Sequence, residues 1–190
     1  PVDHGQPFPF FLAQALPPEA QADPGALLGA AGAWQAEWKY DGVRGQLVRR
    51  AGQVWLWSRG EELIGERFPE ITAAALAALP DGTVLDGEVL VWQPDAAGGA
   101  AAPARPPTPF ARLQTRLNRK SVGKQLLAAA PAGFVAYDLL EHGGCDWRAR
   151  AFGERRAALE ALLAAAAPQA GDGVLTLAPR LLPATAADWP

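Results

Sequence analysis

Alternation of polar and apolar residues is the first structural signal along the chain. In residues 34–48 the polar side chains are separated by aromatic and small ones, a period of two that predicts a β-strand with one charged face. The polar members at its start are Gln35, Glu37, Lys39 and Asp41. A turn at residues 51–53 leads to a second predicted strand, residues 54–59, and the two strands are expected to form a hairpin.

Helical and extended patterns then follow in mixed order. The further predicted elements are a helix at 69–79, a strand at 83–92, a helix within the basic segment 112–124, a strand at 134–140 and a helix at 152–167. Residues 94–109 are rich in Ala, Gly and Pro without periodicity, which predicts a mobile surface loop. Strands joined by hairpins and uneven helices favour an α+β fold over a doubly wound parallel sheet.

Composition narrows the class of protein. The chain has 190 residues, 49% hydrophobic and 19% charged, with a formal net charge of −3, which fits a folded domain and argues against DNA binding driven by net charge. A local basic patch remains compatible with that charge. A single cysteine excludes an internal disulfide. With two histidines as the other candidate ligands, a structural zinc site is not expected either. No export signal and no apolar run of membrane length are visible, so we expect a cytoplasmic protein.

The choice of basic residues draws attention to three positions. Three of the seventeen Lys and Arg residues are lysines, at 39, 120 and 124. A lysine amine can lose its proton and act as a nucleophile, whereas an arginine cannot. Lys39 lies in the densest group of charged residues, 37–44, with Arg44 nearby. A solvated strand face with ordinary charges is the alternative interpretation of this segment.

Other candidate residues occur one at a time. Arg59 ends the second predicted strand, where it could reach a sugar or phosphate, although a polar turn is the alternative. Glu88 follows an acid and a glycine within an apolar strand and could bind Mg²⁺. An edge strand with outward acids is the alternative there. Tyr137 could stack on a purine base or simply belong to the core.

A basic segment is the remaining candidate for nucleic-acid contact. Its cations Arg112, Arg116 and Lys120 are spaced to share one side of a helix, and Lys124 follows. Such residues suit phosphate contact. A solvated helix face is the alternative interpretation.

The order of these motifs is more specific than any one of them. Lys-x-Asp-Gly-x-Arg, Ser-Arg-Gly, Asp-Gly-Glu and an aromatic-Asp-Leu strand follow one another and together resemble the ATP-dependent DNA ligases of the covalent nucleotidyltransferase superfamily. Flanking stretches also look like bacterial members: Phe11-Leu12-Ala13, Glu66-Arg67-Phe68-Pro69-Glu70 and Glu154-Arg155-Arg156-Ala157-Ala158-Leu159-Glu160. The resemblance implies the nucleotidyltransferase (adenylation) fold, with antiparallel sheets flanked by helices.

The resemblance also implies roles for individual residues. Lys39 would attack the α-phosphorus of ATP, and the AMP would then pass to the 5′-phosphate of nicked double-stranded DNA before the nick is sealed. Nucleotide-binding roles would fall to Glu37, Asp41, Arg44, Arg59, Glu88 and Tyr137. Glu88 would also bind the metal, Mg²⁺ or Mn²⁺. A monomer acting in DNA repair, replication or recombination is expected.

One departure from the family pattern shapes the expected domain organisation. A second acidic motif, a final Lys-x-Lys motif and an OB-fold domain are expected after residue 167, and no lysine follows Lys124. Residues 1–190 are therefore interpreted as one partial adenylation domain, weakly active or inactive alone. Its segments are an entry stretch (1–33), the lysine-motif strands and helix (34–92), the loop (93–109) and the remainder (110–190). An RNA ligase or capping enzyme, a noncatalytic nucleic-acid-binding module and an inert domain stay open as alternatives.

Overall fold

The structure is a computed structural model that describes residues 4–93, 106–119 and 121–181. The chain divides into two units. The large unit consists of Pro1–Phe8 and Tyr40–Leu177, and the small unit consists of Pro9–Lys39 and Ala178–Pro190. The interpretation of residues 1–190 as one partial domain stays a prediction.

Helices and strands alternate irregularly along the chain. In chain order they are α1 (Pro18–Ala22), α2 (Pro24–Leu28), β1 (Ala36–Glu37), β2 (Val43–Arg50), β3 (Gln53–Ser58), α3 (Pro69–Ala78), β4 (Thr83–Val91), α4 (Phe110–Leu117), α5 (Lys124–Ala129), β5 (Ala132–His142), β6 (Cys145–Asp146), α6 (Phe152–Ala170), β7 (Leu175–Leu177) and β8 (Arg180–Leu181). Two short 3₁₀ turns occupy Ala31–Ala33 and Gly65–Arg67. None of the described helices is long and apolar enough to cross a membrane.

A six-stranded sheet is the framework of the large unit. Its strands follow the order β3-β2-β4-β5-β6 with antiparallel neighbours, and β7 pairs in parallel with β5. The predicted hairpin is present as β2 and β3, joined through Ala51 and Gly52. Both residues have positive φ, as the tight turns that match strand twist require.

The two faces of this sheet are covered differently. One face packs against α3 and α6 and forms the main core. Representative members of this core are Leu47, Leu56, Phe68, Ile71, Leu85, Phe134, Leu139 and Leu159. The opposite face carries a smaller apolar cluster of Val48, Val84 and Leu140. Charged side chains on that second face form the candidate site.

The small unit contains the largest departure from the predicted elements. Residues 34–48 do not form one strand: β1 spans two residues and pairs with β8, whereas β2 begins at Val43. Trp34 and Trp38 are 53% and 59% exposed, so the alternation does not define a buried face there. The strand prediction was wrong for residues 34–35 and 38–42.

The basic segment and the Ala/Gly/Pro-rich segment were predicted as one helix and as a loop. The basic segment forms two helices, α4 and α5, instead of one. Of the predicted loop at 94–109, residues 94–105 lie outside the described residues. The described end of that segment pairs Pro107 with Trp92 in an isolated bridge.

Candidate active site

A partly buried ion pair, Arg44–Asp86, lies near the middle of the second sheet face. Arg44 on β2 donates from Nη2 to Asp86 Oδ2 at 2.9 Å and from Nε to Oδ1 at 3.2 Å. Asp86 lies on β4, which pairs with β2 on one side and β5 on the other, and is 3% exposed. The alternative of an edge strand with outward acids is therefore wrong, because β4 is central and its acid is paired.

Tyr137 on β5 completes this cluster. Its ring centroid lies 6.0 Å from the Arg44 guanidinium carbon. Tyr137 is the extra residue of a β-bulge, since Asp86 opposes Asp138 while Gly87 opposes Ala136. A bulge redirects side chains relative to a regular strand, and this one brings an aromatic ring beside the ion pair.

Burial governs the protonation of this cluster. Burial raises the pKa of Asp86, and the hydrogen bond and charge of Arg44 oppose that shift only in part. Burial, together with the negative charge of Asp86, also raises the pKa of Tyr137. Tyr137 therefore keeps its phenol proton at neutral pH and presents a neutral ring, the form suited to stacking on a base.

Glycines allow the strands of the site to pack closely. A Cβ on Gly87 would lie 2.5 Å from the Val135 carbonyl oxygen and 2.6 Å from the Phe134 ring. A Cβ on Gly45, the cross-strand partner of Gly87, would lie 2.7 Å from the Trp57 carbonyl oxygen. Close packing of the backbone thus explains Gly45, next to Arg44, and Gly87, between Asp86 and Glu88.

A second ion pair, not predicted from the sequence, holds the bulge from α6. Arg155 donates from Nε and Nη2 to the two Asp138 carboxylate oxygens at 2.8 and 2.9 Å. The hydrogen bond to Asp138 raises the pKa of Arg155. The Leu139 backbone N–H donates to the same carboxylate at 2.8 Å. The only sequence signals were an acid directly after Tyr137 in an apolar strand and paired arginines in the first turns of a helix.

Three other predicted residues belong to the large unit. Glu88 is half-buried on β4 and is the cross-strand partner of Arg44. Arg59 is exposed just after β3, and its backbone N–H donates to the Arg44 carbonyl at 2.9 Å. Asp41 is exposed just before β2. Among the residues with described positions, no group of three or more His, Cys, Asp or Glu side chains could hold a metal ion.

The remaining predicted residues of the site belong to the small unit. Glu37 is half-buried on β1 and accepts a hydrogen bond from the Gln35 amide. Lys39 is exposed and is the last residue of this unit before the chain continues at Tyr40.

The basic segment does not form the predicted shared surface. Arg116 is 0% exposed and forms an ion pair with Glu70 at 2.8 Å. It also donates to the backbone carbonyls of Arg67 and Ala130. A guanidinium held in this way cannot contact an external phosphate, so the prediction for Arg116 was wrong.

Two other cations of that segment are exposed, and the fourth is not described. Arg112 on α4 and Lys124 at the start of α5 are both exposed. Lys120 lies outside the described residues.

Comparisons with known proteins identify the family of this chain. The family model described as "ATP dependent DNA ligase domain" matches residues 22–175. DNA ligase C2 of Mycolicibacterium smegmatis is 43% identical over 131 residues, which cover 68% of this chain and 34% of that relative. A probable DNA ligase of Opitutus terrae is 41% identical over 158 residues, covering 80% and 14% of the two chains.

A solved structure supports the same assignment. The mycobacterial DNA ligase D complexed with ATP and MES is 27% identical with a TM-score of 0.57, covering 78% of this chain and 40% of that one. The chain thus spans about a third or less of the length of the two curated relatives. The predicted α+β nucleotidyltransferase fold is confirmed. Because the family model covers most of the chain, this protein belongs to the ATP-dependent DNA ligase domain family.

Proposed function

We propose that this chain carries the adenylation chemistry of an ATP-dependent DNA ligase. The observation that carries the proposal is the Arg44–Asp86 pair beside the neutral ring of Tyr137, all within the residues that the family model matches. A guanidinium next to an aromatic face suits a ligand that has both an anionic and a flat part. A nucleotide has both.

Lys39 is the proposed nucleophile. Its neutral amine would attack the α-phosphorus of ATP, forming an N–P bond as the P–O bond to pyrophosphate breaks, and the amine would release its proton. The product would be a lysyl-AMP phosphoramidate. An arginine at this position would keep its charge and could not react in this way.

The proposal assigns base, sugar and phosphate contacts to the other candidate residues. Tyr137 would stack on adenine, and Glu37 would accept from its amino group. Arg44 and Arg59 would contact ribose and phosphate, with Asp41 nearby. The half-buried position of Glu88 on β4 supports a role at the ribose or at a metal ion.

Mg²⁺ or Mn²⁺ is a further part of the proposal. Mg²⁺ is commonly held by one or two carboxylates together with substrate phosphates, without a cage made only of protein groups. A single half-buried carboxylate, Glu88, fits that pattern. A bound divalent ion would offset the charge that develops on phosphate oxygens.

Nicked double-stranded DNA is the proposed acceptor of the AMP. The matched relatives are named DNA ligases, which favours DNA over RNA. Arg112 and Lys124 are exposed and suited to phosphate contact, and the proposal keeps Lys120 with them. We further propose a cytoplasmic monomer that serves DNA repair, replication or recombination.

Mass spectrometry of the intact chain tests the first step. After incubation with ATP and Mg²⁺, the denatured chain is expected to gain slowly the mass of one adenylyl group, located on Lys39 by peptide mapping. Lys39→Arg should abolish the adduct while keeping the positive charge, and Lys124→Ala should leave it unchanged. An adduct on another residue, or an adduct that survives Lys39→Arg, would contradict the proposal.

A second assay separates the nucleic-acid alternatives. Adenylated chain mixed with nicked DNA or nicked RNA should transfer AMP to the DNA 5′-phosphate. Preferential transfer to RNA would favour an RNA ligase. ATP-independent DNA binding without any adduct would favour a noncatalytic binding module.

A further inference from the structure

The first described residues of the chain, 4–8, begin with a turn at His4 and Gly5 and pack on the second sheet face. Residues 4–8 belong to the large unit, although the chain then leaves it and returns only at Tyr40. Short sequence distance therefore does not hold this segment in place. Its hydrogen bonds are made with residues 38 to 52 positions away.

The backbone of this segment is bound at almost every residue. Gln46 accepts from the Phe8 N–H at 2.8 Å and donates to the Phe8 carbonyl at 2.9 Å. Trp57 Nε1 donates to the Gly5 carbonyl at 2.6 Å. Arg50 Nη1 donates to the carbonyls of His4 and Gln6 at 3.2 and 2.8 Å. Four of the five residues of this segment therefore have a backbone group bound by a side chain of the sheet.

Side-chain recognition occurs at two positions of the segment. The Phe8 ring lies 4.1 Å from the Arg148 guanidinium carbon and 5.2 Å from that of Arg50. Gly5 is buried against Trp55, and a Cβ there would lie 2.9 Å from the indole ring. The site therefore requires glycine at one position and fits an aromatic ring three residues later.

The residues that bind the segment are themselves held firmly. Gln46 is 0% exposed, and Arg50 donates from Nε and Nη2 to the Glu141 carboxylate at 2.7 to 3.1 Å. Loss of the segment would take both described partners from the Gln46 amide. The Gln46 amide, Trp57 Nε1 and Arg50 Nη1 would then be available to the backbone of a matching peptide.

We propose that this sheet face is a peptide-binding groove for a Gly-x-x-Phe segment, filled by residues 4–8 of the same chain. The groove is defined by Gln46, Arg50, Trp55, Trp57 and Arg148. The binding chemistry is that of backbone carbonyls recognised by side-chain donors, with one small position and one aromatic position. The proposal of this groove does not rest on the proposed ligase activity.

A dye-labelled peptide, His-Gly-Gln-Pro-Phe with an acetylated N-terminus, tests the groove in the full chain. Gly5→Val in the chain places methyl groups against Trp55 and should release the resident segment. The peptide should then bind the variant at least tenfold more tightly than the native chain, whose own segment acts at a high effective concentration. Fluorescence anisotropy measures this difference.

Matched peptides test the recognition rule. A peptide with Gly5→Val should not bind, whereas a peptide with His4→Ala should bind like the original because the His4 side chain is exposed. Adding Gln46→Leu to the Gly5→Val chain should abolish binding. Absence of peptide binding to a cooperatively folded Gly5→Val chain would overturn the proposal, as would equal binding of the valine peptide.

Hydrogen exchange on the native chain provides an independent test that needs no variant to fold. The Phe8 amide donates to a buried side chain and is expected to exchange at least tenfold more slowly than in the free peptide. Exchange at the free-peptide rate would also overturn the proposal.

Discussion

Arg116→Met is the substitution with the clearest expected effect on stability. The guanidinium of Arg116 is fully buried and donates to Glu70 and to two backbone carbonyls, those of Arg67 and Ala130. Methionine has a similar length but supplies no donor. The variant would therefore leave the Glu70 carboxylate without its counter-ion and the carbonyls without these donors.

Known energies allow the size of this effect to be worked out. Removing one partner of a buried ion pair costs about 3–5 kcal/mol. Taking about 4 kcal/mol, and a shift of 2–4 °C per kcal/mol in a chain of this size, the melting temperature should fall by roughly 8–16 °C. Urea unfolding followed by circular dichroism measures the free-energy change directly.

Two further variants test whether loss of the Arg116 ion pair causes the expected fall in stability. Arg112→Met, four residues earlier on the exposed side of α4, should change the free energy of unfolding by less than about 0.5 kcal/mol. Combining Arg116→Met with Glu70→Leu should recover about 2 kcal/mol, because no buried charge is left unpaired. If Arg116→Met costs no more than Arg112→Met, Arg116 is not a core ion-pair residue.

Three other variants test the site itself. Gly87→Ala should destabilise the chain by more than about 2 kcal/mol in urea unfolding, because its Cβ has no space, whereas Gly153→Ala, with no atom within 4 Å of its Cβ, should not. Arg44→Met should raise the pKa of Asp86 further in a ¹³C carboxyl titration, because Arg44 lowers it; a lower pKa would contradict the assigned pair. Folding raises the pKa of Asp86, so the folded chain holds this proton more tightly than the unfolded chain does. The stability contributed by Asp86 is therefore present at acidic pH and is lost as the pH rises through its folded pKa. Tyr137→Ala should weaken ATP binding in calorimetry by about 1–3 kcal/mol, whereas Tyr137→Phe should not, if the ring stacks on adenine.

Local sequence patterns predicted those elements whose ends are marked by turn residues. Strands β3 and β4 and helix α3 lie within one or two residues of the predicted bounds, since Gly and Pro punctuate each of them. The same rule failed at residues 34–48. Alternation there continues across the boundary between two units, and the partner of β1 is β8 near the far end of the chain. The alternation of residues within a segment does not show which other strand will pair with it.

In the candidate site too, the local sequence predicted individual residues but not their arrangement. Arg44, Glu88 and Tyr137 could be singled out because each is an unusual residue in its local setting. Their arrangement could not, because the Arg44–Asp86 pair spans 42 residues and depends on strand register. The burial of Arg116 depends likewise on Glu70, 46 residues away. Helical spacing shows which side chains share a side, but not whether that side meets water or an acid.

The charges of the sheet face bear directly on how it could accept ATP. Around Tyr137 the described cations are Arg44 and Arg155, and the described acids are Asp86, Glu88 and Asp138. The formal local charge is therefore two positive and three negative, or −1. The partnership of Arg44 with Asp86 fixes the direction of the guanidinium but offsets its charge. A triphosphate would thus gain little net attraction from this cluster alone. The proposed divalent ion at Glu88 and the cation Arg59 would make the site attractive to a polyanion, which would give the metal a role in binding as well as in chemistry.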